Sequence, residues 1–318
     1  MQTKLLGRQK RTGFRLVGRN FWKYKALLLM MVPIIVITVI NGYLPIFGLL
    51  IAFKDINYAD GILMSPWVGI DNFKFLFSNA SVINAVVNTL LYNAVFIVLG
   101  MILAVAVAIG LNEMKSKIAA KTYQTLMILP YFLSMVVVSY VVYGFLHYDN
   151  GYSNRILVNV FGMEKVNWYF EAKYWPAILI LVRMWHQVGY GSIIYLAALC
   201  GIDQSLYEAA RIDGATKPQM IRKITIPLLK PVMIIMLILS IGNIVKGDFG
   251  LFYQVPLGSG ALISTTDIID TFVYRSLMSL NDIGMSSAAG FLQSVIGFIM
   301  VMISNGIIRK IDPEQAMF

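Results

Sequence analysis

The sequence predicts an all-α integral membrane protein with six transmembrane helices. Its mean hydropathy is +0.72, and 58% of its 318 residues are hydrophobic. Only 13% are charged, whereas a soluble globular protein carries about 25%, so a soluble fold would have too little polar surface to cover its core. The apolar residues also fall into long runs, and a helix needs about 20 such residues to cross a bilayer.

The six predicted spans are predominantly apolar segments. They are Ala26–Phe53, Val86–Leu111, Thr122–Leu146, Trp175–Leu199, Leu228–Val245 and Ser287–Ile308. The first run exceeds the roughly 7–15 apolar residues of a signal peptide, and no small-residue cleavage site follows it, so we predict a retained helix. The single cysteine, Cys200, excludes an intramolecular disulfide and a cysteine-based metal cluster.

The distribution of charge predicts that both termini are cytoplasmic. Many basic residues and no acidic residue lie between Met1 and Lys25. The segments that fall on the same side carry most of the other basic residues, which is the positive-inside pattern. The net charge of +10 therefore indicates membrane topology rather than binding of nucleic acid. The predicted units are a basic segment 1–25, a transmembrane domain 26–310 with a cytoplasmic loop 201–231, and a tail 311–318.

Three outer segments, 54–83, 147–174 and 246–285, are rich in aromatic residues. An interfacial aromatic belt would account for them, and so would a docking surface for a partner on the outer side. The sequence leaves both interpretations open.

The loop 201–231 has signals for a first short helix. Ser205 and Glu208 form an S-x-x-E capping box, which predicts the start of the helix there. Gly214 follows and suits the left-handed residue that often ends a helix.

A second short helix is predicted directly after the first. Thr216 and Gln219 form a T-x-x-Q capping box, with Pro218 in the first turn. Pro227 and Pro231 are predicted to mark the turn into the fifth span. Two capped helices in so short a loop indicate a rigid projection that could dock on another protein.

This loop resembles the EAA signature of type I ABC importer permeases. The matching residues are Glu208, Ala209, Ala210, Asp213, Gly214, Ala215, Gln219, Ile224, Pro227 and Pro231. As in that family, the loop lies two spans before the C-terminus. The resemblance implies the type I ABC importer permease fold. It also implies that residues 208–219 include the coupling helix, which fits a cleft on the ATP-binding subunit.

Two further segments resemble those of sugar permeases. Trp67–Phe73 (WVGIDNF) is similar to the segment after their first span, and Asp267–Arg275 (DIIDTFVYR) is similar to their outer helix. Both resemble the maltose-permease-F-like half of a heterodimer, in the branch that takes up plant or algal polysaccharide fragments. Pro256–Gly260 (PLGSG) stands where TGGGP is common.

The resemblance implies a multi-pass protein of the bacterial cytoplasmic membrane that helps to import an oligosaccharide. Its implied partners are two ATP-binding cassette subunits, a second permease subunit and an extracellular solute-binding protein. The chain lacks a G-x-x-x-x-G-K-[ST] phosphate-binding loop, and we find no nucleophile and base on facing spans. We therefore expect a non-catalytic subunit without its own cofactor or metal, and ATP and Mg on the ATPase subunits.

Polar residues in or beside the predicted spans are candidates for a substrate path, because a central charge costs about 2.5–3.5 kcal/mol on insertion scales. The candidates are Arg183, Trp185, His186, Gln187, Asn243, Lys246, Tyr253 and Gln293. Amide and charged groups would bind sugar hydroxyls, and aromatic rings would pack on sugar rings. Arg183 and Lys246 would suit an acidic sugar such as a uronate oligomer.

The alternative role for these polar residues is hydrogen bonding between spans. We favour that alternative for the asparagine and serine residues, which are Asn243, Ser286 and the second-span residues Asn84, Asn88 and Asn93. For Arg183, His186 and Lys246 we favour the substrate path.

Other classes of function remain open. An ion-coupled secondary transporter would have broken helices in two matching halves and carboxylates at mid-membrane, but no Asp or Glu falls within the six spans. A membrane scaffold or enzyme would be stable without partner subunits. A type I permease for a non-sugar solute, such as an amino acid or phosphate, would share the features of the loop.

Overall fold

A computed structural model of the chain describes residues 24–57, 59–78, 80–280 and 282–311. The predicted segments 1–25 and 311–318 lie almost entirely outside these ranges. Within the described residues the regular secondary structure is helical, and loops and one isolated antiparallel bridge between Lys54 and Trp67 make up the rest. This confirms the predicted all-α class.

The α-helices are numbered here in chain order. They are α1 (Lys25–Thr38), α2 (Gly61–Met64), α3 (Asp71–Ser78), α4 (Ala80–Asn112), α5 (Lys117–Ile128), α6 (Met135–Leu146), α7 (Tyr152–Asn159), α8 (Trp175–Cys200), α9 (Gln204–Ile212), α10 (Lys217–Met220), α11 (Ile226–Gly242), α12 (Phe249–Gln254), α13 (Ile263–Thr266), α14 (Ile269–Leu280) and α15 (Ile283–Ile311). A π-helical and a 3-10 segment extend α1 to Phe53, and the π-helical segment Ile221–Thr225 joins α10 to α11.

Five helices among the described residues are long and apolar enough to cross a membrane. They are Lys25–Phe53, Ala80–Asn112, Ala172–Cys200, Lys217–Gly242 and Ile283–Lys310. They confirm five of the predicted spans, although the fifth begins at Lys217 rather than at Leu228.

The predicted third span, Thr122–Leu146, contains a sharp break. The helix Lys117–Phe132 and the helix Met135–Leu146 are bent by 100° relative to each other. Pro130, which has no backbone N–H, lies in a 3-10 turn, and Leu133 is extended with ψ 134°. Ser134 then caps α6 by accepting a hydrogen bond from the Val137 N–H at 3.4 Å. Counted as one broken span, this pair gives the predicted total of six.

Contacts between helices show which segments share an end of the bundle. Arg183 of α8 lies against the ring of Phe96 in α4, so the two helices lie side by side. The C-terminal ends of both helices lie at the same end of the bundle. There, Lys217 forms a 2.7 Å ion pair with Glu113. At the other end, Asn84 donates to the Ser264 carbonyl. Loops 113–116 and 201–216 therefore share the predicted cytoplasmic end, and residues 243–280 lie at the predicted outer end.

The largest core cluster lies toward the predicted outer end and joins α4, α6, α8 and α12. Its fully buried residues include Trp175, Leu179, Val138 and Leu251. The backbones of α5 and α8 also touch, since a Cβ on Gly189 would lie 1.8 Å from the Met127 carbonyl oxygen. These contacts fix α8 on two sides.

The WVGIDNF segment closes the outer end of the first span. The Asn72 amide donates to the carbonyls of Ala52 and Lys54, both at 3.0 Å. Phe73 packs on Phe53 and Phe291, with ring centroids 5.3 Å and 5.9 Å apart. The segment thus satisfies carbonyls at the end of the first span and attaches that end to α15.

Candidate functional site

A cavity of about 420 Å³ lies between α4, α8 and α11. Polar groups from all three helices, and from the residues just after α11, face it among apolar side chains. The polar lining residues are Asn93, Arg183, Gln187, Ser240, Asn243 and Lys246. A concave site with a few convergent polar groups is the usual form of a small-molecule site.

Arg183 is paired with a carboxylate that the sequence analysis did not include in the path. Its guanidinium donates to Asp248 Oδ2, and each side chain is about one-quarter exposed, at 25% and 21%. Asp248 also caps α12, because its Oδ1 accepts from the Leu251 N–H at 3.1 Å. The charge of Arg183 is therefore balanced. The sequence signal that could have identified Asp248 as a partner is its position, since it is an acidic residue just beyond the fifth span.

Lys246 supplies the net positive charge at the cavity. It is exposed, and among the described residues its ammonium group makes no hydrogen bond or ion pair. Its backbone is fixed by Asn93, whose amide donates to the carbonyls of Ile244 at 2.7 Å and Lys246 at 2.9 Å. Asn243 donates to the Leu239 carbonyl at 2.9 Å.

The structure brings together four of the eight predicted path residues, which are Arg183, Gln187, Asn243 and Lys246. It places the other four away from this cavity. His186 is buried, and because a carbonyl can only accept, its Nε2 donates to Leu133 at 3.1 Å. Trp185 is 45% exposed outside the cavity lining.

The remaining two predicted residues lie at the outer end. Gln293 donates to the Val245 carbonyl at 3.0 Å and to Asp270 Oδ2 at 3.2 Å, which ties α15 to the end of α11 and to α14. Tyr253 belongs to a separate aromatic cluster with Phe249 and Tyr274. The role of all eight residues in transport stays a prediction.

The asparagines of the second span bind the backbone of the outer segments. Asn84 and Asn88 donate to the Ser264 carbonyl, and Asn88 also donates to that of Asp267 at 2.9 Å. Tyr92 donates to the Thr265 carbonyl at 2.8 Å. These contacts between segments are the role favoured for the asparagines.

The helix α9 begins one residue earlier than Ser205, at Gln204, so the predicted Ser205–Glu208 capping box is wrong. Asp203 is the capping residue, and its Oδ1 accepts from the Ser205 N–H at 2.9 Å. This hydrogen bond lowers the pKa of the Asp203 carboxyl below its usual value. Asp203 caps the helix in place of Ser205 because Asp is at least as good an N-cap residue as Ser. An Asp cap also needs no Glu or Gln three residues later.

The predicted end of α9 is confirmed. Gly214 has φ +77°, in the left-handed region where glycine has no steric penalty. The Ala215 N–H donates to the Ala210 carbonyl at 2.9 Å, and the Gly214 N–H donates to that of Arg211 at 3.1 Å. This pair of hydrogen bonds is a Schellman motif, which satisfies the last carbonyls of the helix.

The second capping box is also confirmed, but the turn predicted after it is wrong. Gln219 Oε1 accepts from the Thr216 N–H at 2.7 Å. The helix then runs without interruption from Lys217 to Gly242. The Ile226 N–H donates to the Ile221 carbonyl, five residues back. This wider turn accommodates Pro227 without ending the helix.

A hydrogen bond between two side chains attaches α9 to the fifth span. Tyr207 is buried, and its hydroxyl lies 3.0 Å from Thr225 Oγ1. The predicted coupling residues lie around this anchor. Glu208, Ala209, Asp213, Gly214 and Gln219 are exposed, and Ala210 and Ala215 are partly buried. Ile212 is 87% exposed. The loop 201–216 therefore presents a capped short helix with an exposed apolar residue at its end.

The class of protein follows from comparison of the chain with known families. The chain belongs to the family of binding-protein-dependent transport system inner membrane components, which matches residues 96–314. It is thus a membrane permease of a transport system.

Particular relatives narrow the comparison. The polygalacturonan/rhamnogalacturonan transport system permease protein YteP of Bacillus subtilis (strain 168) is 33% identical over 91% of this chain and 89% of its own length. A crystal structure of a bacterial ABC transporter involved in the import of the acidic polysaccharide alginate contains a chain that is 31% identical. That chain matches with a TM-score of 0.85, over 93% of this chain and 99% of its own.

A second crystal structure shows a bacterial alginate ABC transporter in complex with an alginate pentasaccharide-bound periplasmic protein. One of its chains is 30% identical, with a TM-score of 0.83, over 92% of this chain and 97% of its own. The type I importer permease fold implied by the EAA loop is confirmed by these similarities.

Proposed function

We propose that this chain is one permease subunit of an ATP-driven, binding-protein-dependent importer of acidic oligosaccharides. Support comes from family membership and from the relatives, whose names refer to polygalacturonan, rhamnogalacturonan and alginate. A second permease subunit would complete the translocation path. An extracellular solute-binding protein would deliver the oligosaccharide, as the periplasmic protein of the alginate transporter complex suggests.

The energy source in this proposal is a pair of ATP-binding cassette subunits. The sequence has no phosphate-binding loop of its own, and the described residues contain no cluster of His, Cys, Asp and Glu that could hold a metal. In this proposal ATP and Mg bind to the ATPase subunits, and this chain has a non-catalytic role in transport. Both termini and the loop 201–216 face the cytoplasm, where ATP is available.

One observation supports the mechanism most strongly: the helix that anchors α9 also forms one wall of the cavity. It runs from Lys217 to Gly242, a length of about 39 Å at 1.5 Å per residue. Tyr207 fixes α9 to this helix near one end through Thr225, and Ser240 lines the cavity near the other end. A displacement of α9 by an ATPase subunit therefore moves one wall of the cavity.

The chemistry of the cavity suits an acidic sugar. Gln187 and Asn243 offer amide groups to sugar hydroxyls, and Asn93 offers its Oδ1, because both of its N–H groups donate to backbone carbonyls. The Arg183–Asp248 pair is neutral as a whole. Lys246 remains as a cation beside the cavity and would bind a uronate carboxylate. Alternating access would then follow from movement of α11 against α4 and α8.

Substitution of Lys246 by Gln is expected to lower uptake of a uronate trisaccharide about tenfold. A charge-assisted hydrogen bond contributes roughly 1.5–3 kcal/mol, and the lower end applies because Lys246 is exposed. The measurement is ATP-driven uptake into proteoliposomes that contain the whole complex and its binding protein. Neutral maltotriose, if transported, should be unaffected.

Two variants control this experiment. Lys246→Arg keeps the charge and should keep uptake. Lys165→Gln removes an exposed outer lysine that is not part of the cavity lining and should have no effect. Unchanged uptake of the uronate trisaccharide by Lys246→Gln would show that the cavity does not select acidic sugars.

A further inference from the structure

A second cavity, of about 350 Å³, lies at the predicted outer end between α12, the loop 255–262 and α14. It shares no lining residue with the first cavity. The lining residues that can form hydrogen bonds or ion pairs with a ligand include Tyr253, Ser259, Asp267, Tyr274 and Arg275. Neither the coupling loop nor the first cavity accounts for this arrangement.

One wall of the second cavity is aromatic. Tyr253 stacks on Phe249, with ring centroids 5.0 Å apart and planes at 12°. Tyr274 meets both rings edge-on at 5.0 Å. Tyr253 and Tyr274 are only partly buried and line the cavity. Rings braced in this way form a stiff surface with exposed π-faces and hydroxyls, which suits the apolar face and the hydroxyls of a sugar ring.

An arginine that is held in place by a carboxylate supplies charged hydrogen-bond donors to the second cavity. Asp267 is 3% exposed and accepts from the Thr271 hydroxyl at 2.7 Å and from the Arg275 guanidinium. The Arg275 side chain is 34% exposed. A guanidinium has five N–H donors, and among the described residues only Asp267 accepts from Arg275. The other donors are available to a ligand in a fixed orientation.

The loop that closes the second cavity has a specified shape. Leu257 has φ +54°, and among the described residues it is the one non-glycine residue with positive φ. Such a conformation costs free energy and persists only where the surroundings hold it. A contact two residues later stabilises this conformation, since Ser259 Oγ donates to the Tyr169 carbonyl at 2.9 Å. The strain lies in the PLGSG segment, where the sequence departs from TGGGP.

We propose that this second cavity is an outer saccharide subsite, which binds one pyranose ring of an oligosaccharide whose other units occupy the first cavity. The inference rests on the proposed function. The helix α12 connects the two sites: Asp248 at its start pairs with Arg183 of the first cavity, and Tyr253 near its end lines the second. Six residues of helix span about 9 Å, so an oligosaccharide of several units reaches both.

The test compares uptake of oligosaccharides of different length. Complexes carrying Tyr274→Ala or Arg275→Gln are reconstituted with the binding protein, and uptake of a uronate disaccharide and a uronate pentasaccharide is measured. Loss of one subsite contact should lower pentasaccharide uptake about tenfold and leave disaccharide uptake unchanged. Tyr274→Phe keeps the ring and should retain most pentasaccharide uptake.

Matched controls come from the outer helix α7. Tyr152 and Arg155 are exposed there and lie outside the second cavity, so Tyr152→Ala and Arg155→Gln should transport both sugars normally. Equal loss of disaccharide and pentasaccharide uptake in the subsite variants would overturn the subsite. Loss of the second permease or of the binding protein from those variants would also overturn it, in favour of a subunit interface. A wild-type complex that imports neither sugar would instead refute the proposed function itself.

Discussion

Substitution of Ile212 by Asp is expected to remove the ATPase subunits from the purified complex while the chain stays folded in the membrane. Ile212 is 87% exposed at the end of α9, and full burial of such a side chain in a partner contributes about 1.5–3 kcal/mol. An aspartate at the same place would have to be desolvated without a partner, which adds to the loss. The affinity should therefore fall at least about thirtyfold.

Glu208→Lys should act in the same way, because residues four apart lie on the same face of a helix. Both variants can be tested by affinity purification in detergent and quantification of the ATPase subunit that co-purifies. The matched control is Ile118→Asp, since Ile118 is also an exposed isoleucine, at 81%, in the helix α5 that begins at the same end. Full retention of the ATPase by Ile212→Asp and Glu208→Lys would mean that α9 is not the docking element.

Substitution of Arg183 by Met is expected to destabilise the protein by about 2 kcal/mol and to abolish most uptake. The change leaves the Asp248 carboxylate without its cation between the spans. Removal of one partner from a fully buried pair costs about 3–5 kcal/mol, and this pair is about one-quarter exposed, so the cost is smaller. The thermal midpoint of the purified complex and its uptake rate are the two measurements.

The double variant Arg183→Met with Asp248→Asn separates stability from transport. Asparagine keeps an oxygen that can accept from the Leu251 N–H and so preserves the cap of α12. The double variant should recover most of the lost stability, whereas uptake should remain low because the guanidinium is absent from the cavity. Normal stability and uptake in Arg183→Met alone would contradict the assignment of this ion pair.

The spans and two helix caps of the loop 201–216 could be predicted from sequence because their signals are local. Long apolar runs identify spans without tertiary contacts, and Gly214 and the Thr216–Gln219 box act within a few residues. The break at Leu133 gave no signal in hydropathy, because the residues on both sides of it are apolar. It depends on a proline, a serine cap and the donor His186 from another span.

The cavity was predicted only in part, because polar residues at helical spacing on α8 have different partners in the folded protein. Arg183, His186 and Gln187 share a face of α8, since residues three and four apart are neighbours on a helix. His186 nevertheless donates to the Leu133 carbonyl, and Trp185 lies outside the cavity lining. The pairing of Arg183 with Asp248 links residues 65 positions apart. Contacts over such a separation depend on tertiary packing, which the sequence pattern does not record.

The central claim is that nucleotide-driven movement of partner subunits reaches the cavity through α9 and the fifth span. The most direct measurement is uptake of a uronate trisaccharide into proteoliposomes that contain the assembled complex and its binding protein. The account predicts uptake that requires ATP and the ATPase subunits, persists when ion gradients are collapsed, and is lost with Ile212→Asp. Accumulation of the sugar by this chain alone, driven by an ion gradient and unaffected by changes in α9, would contradict it.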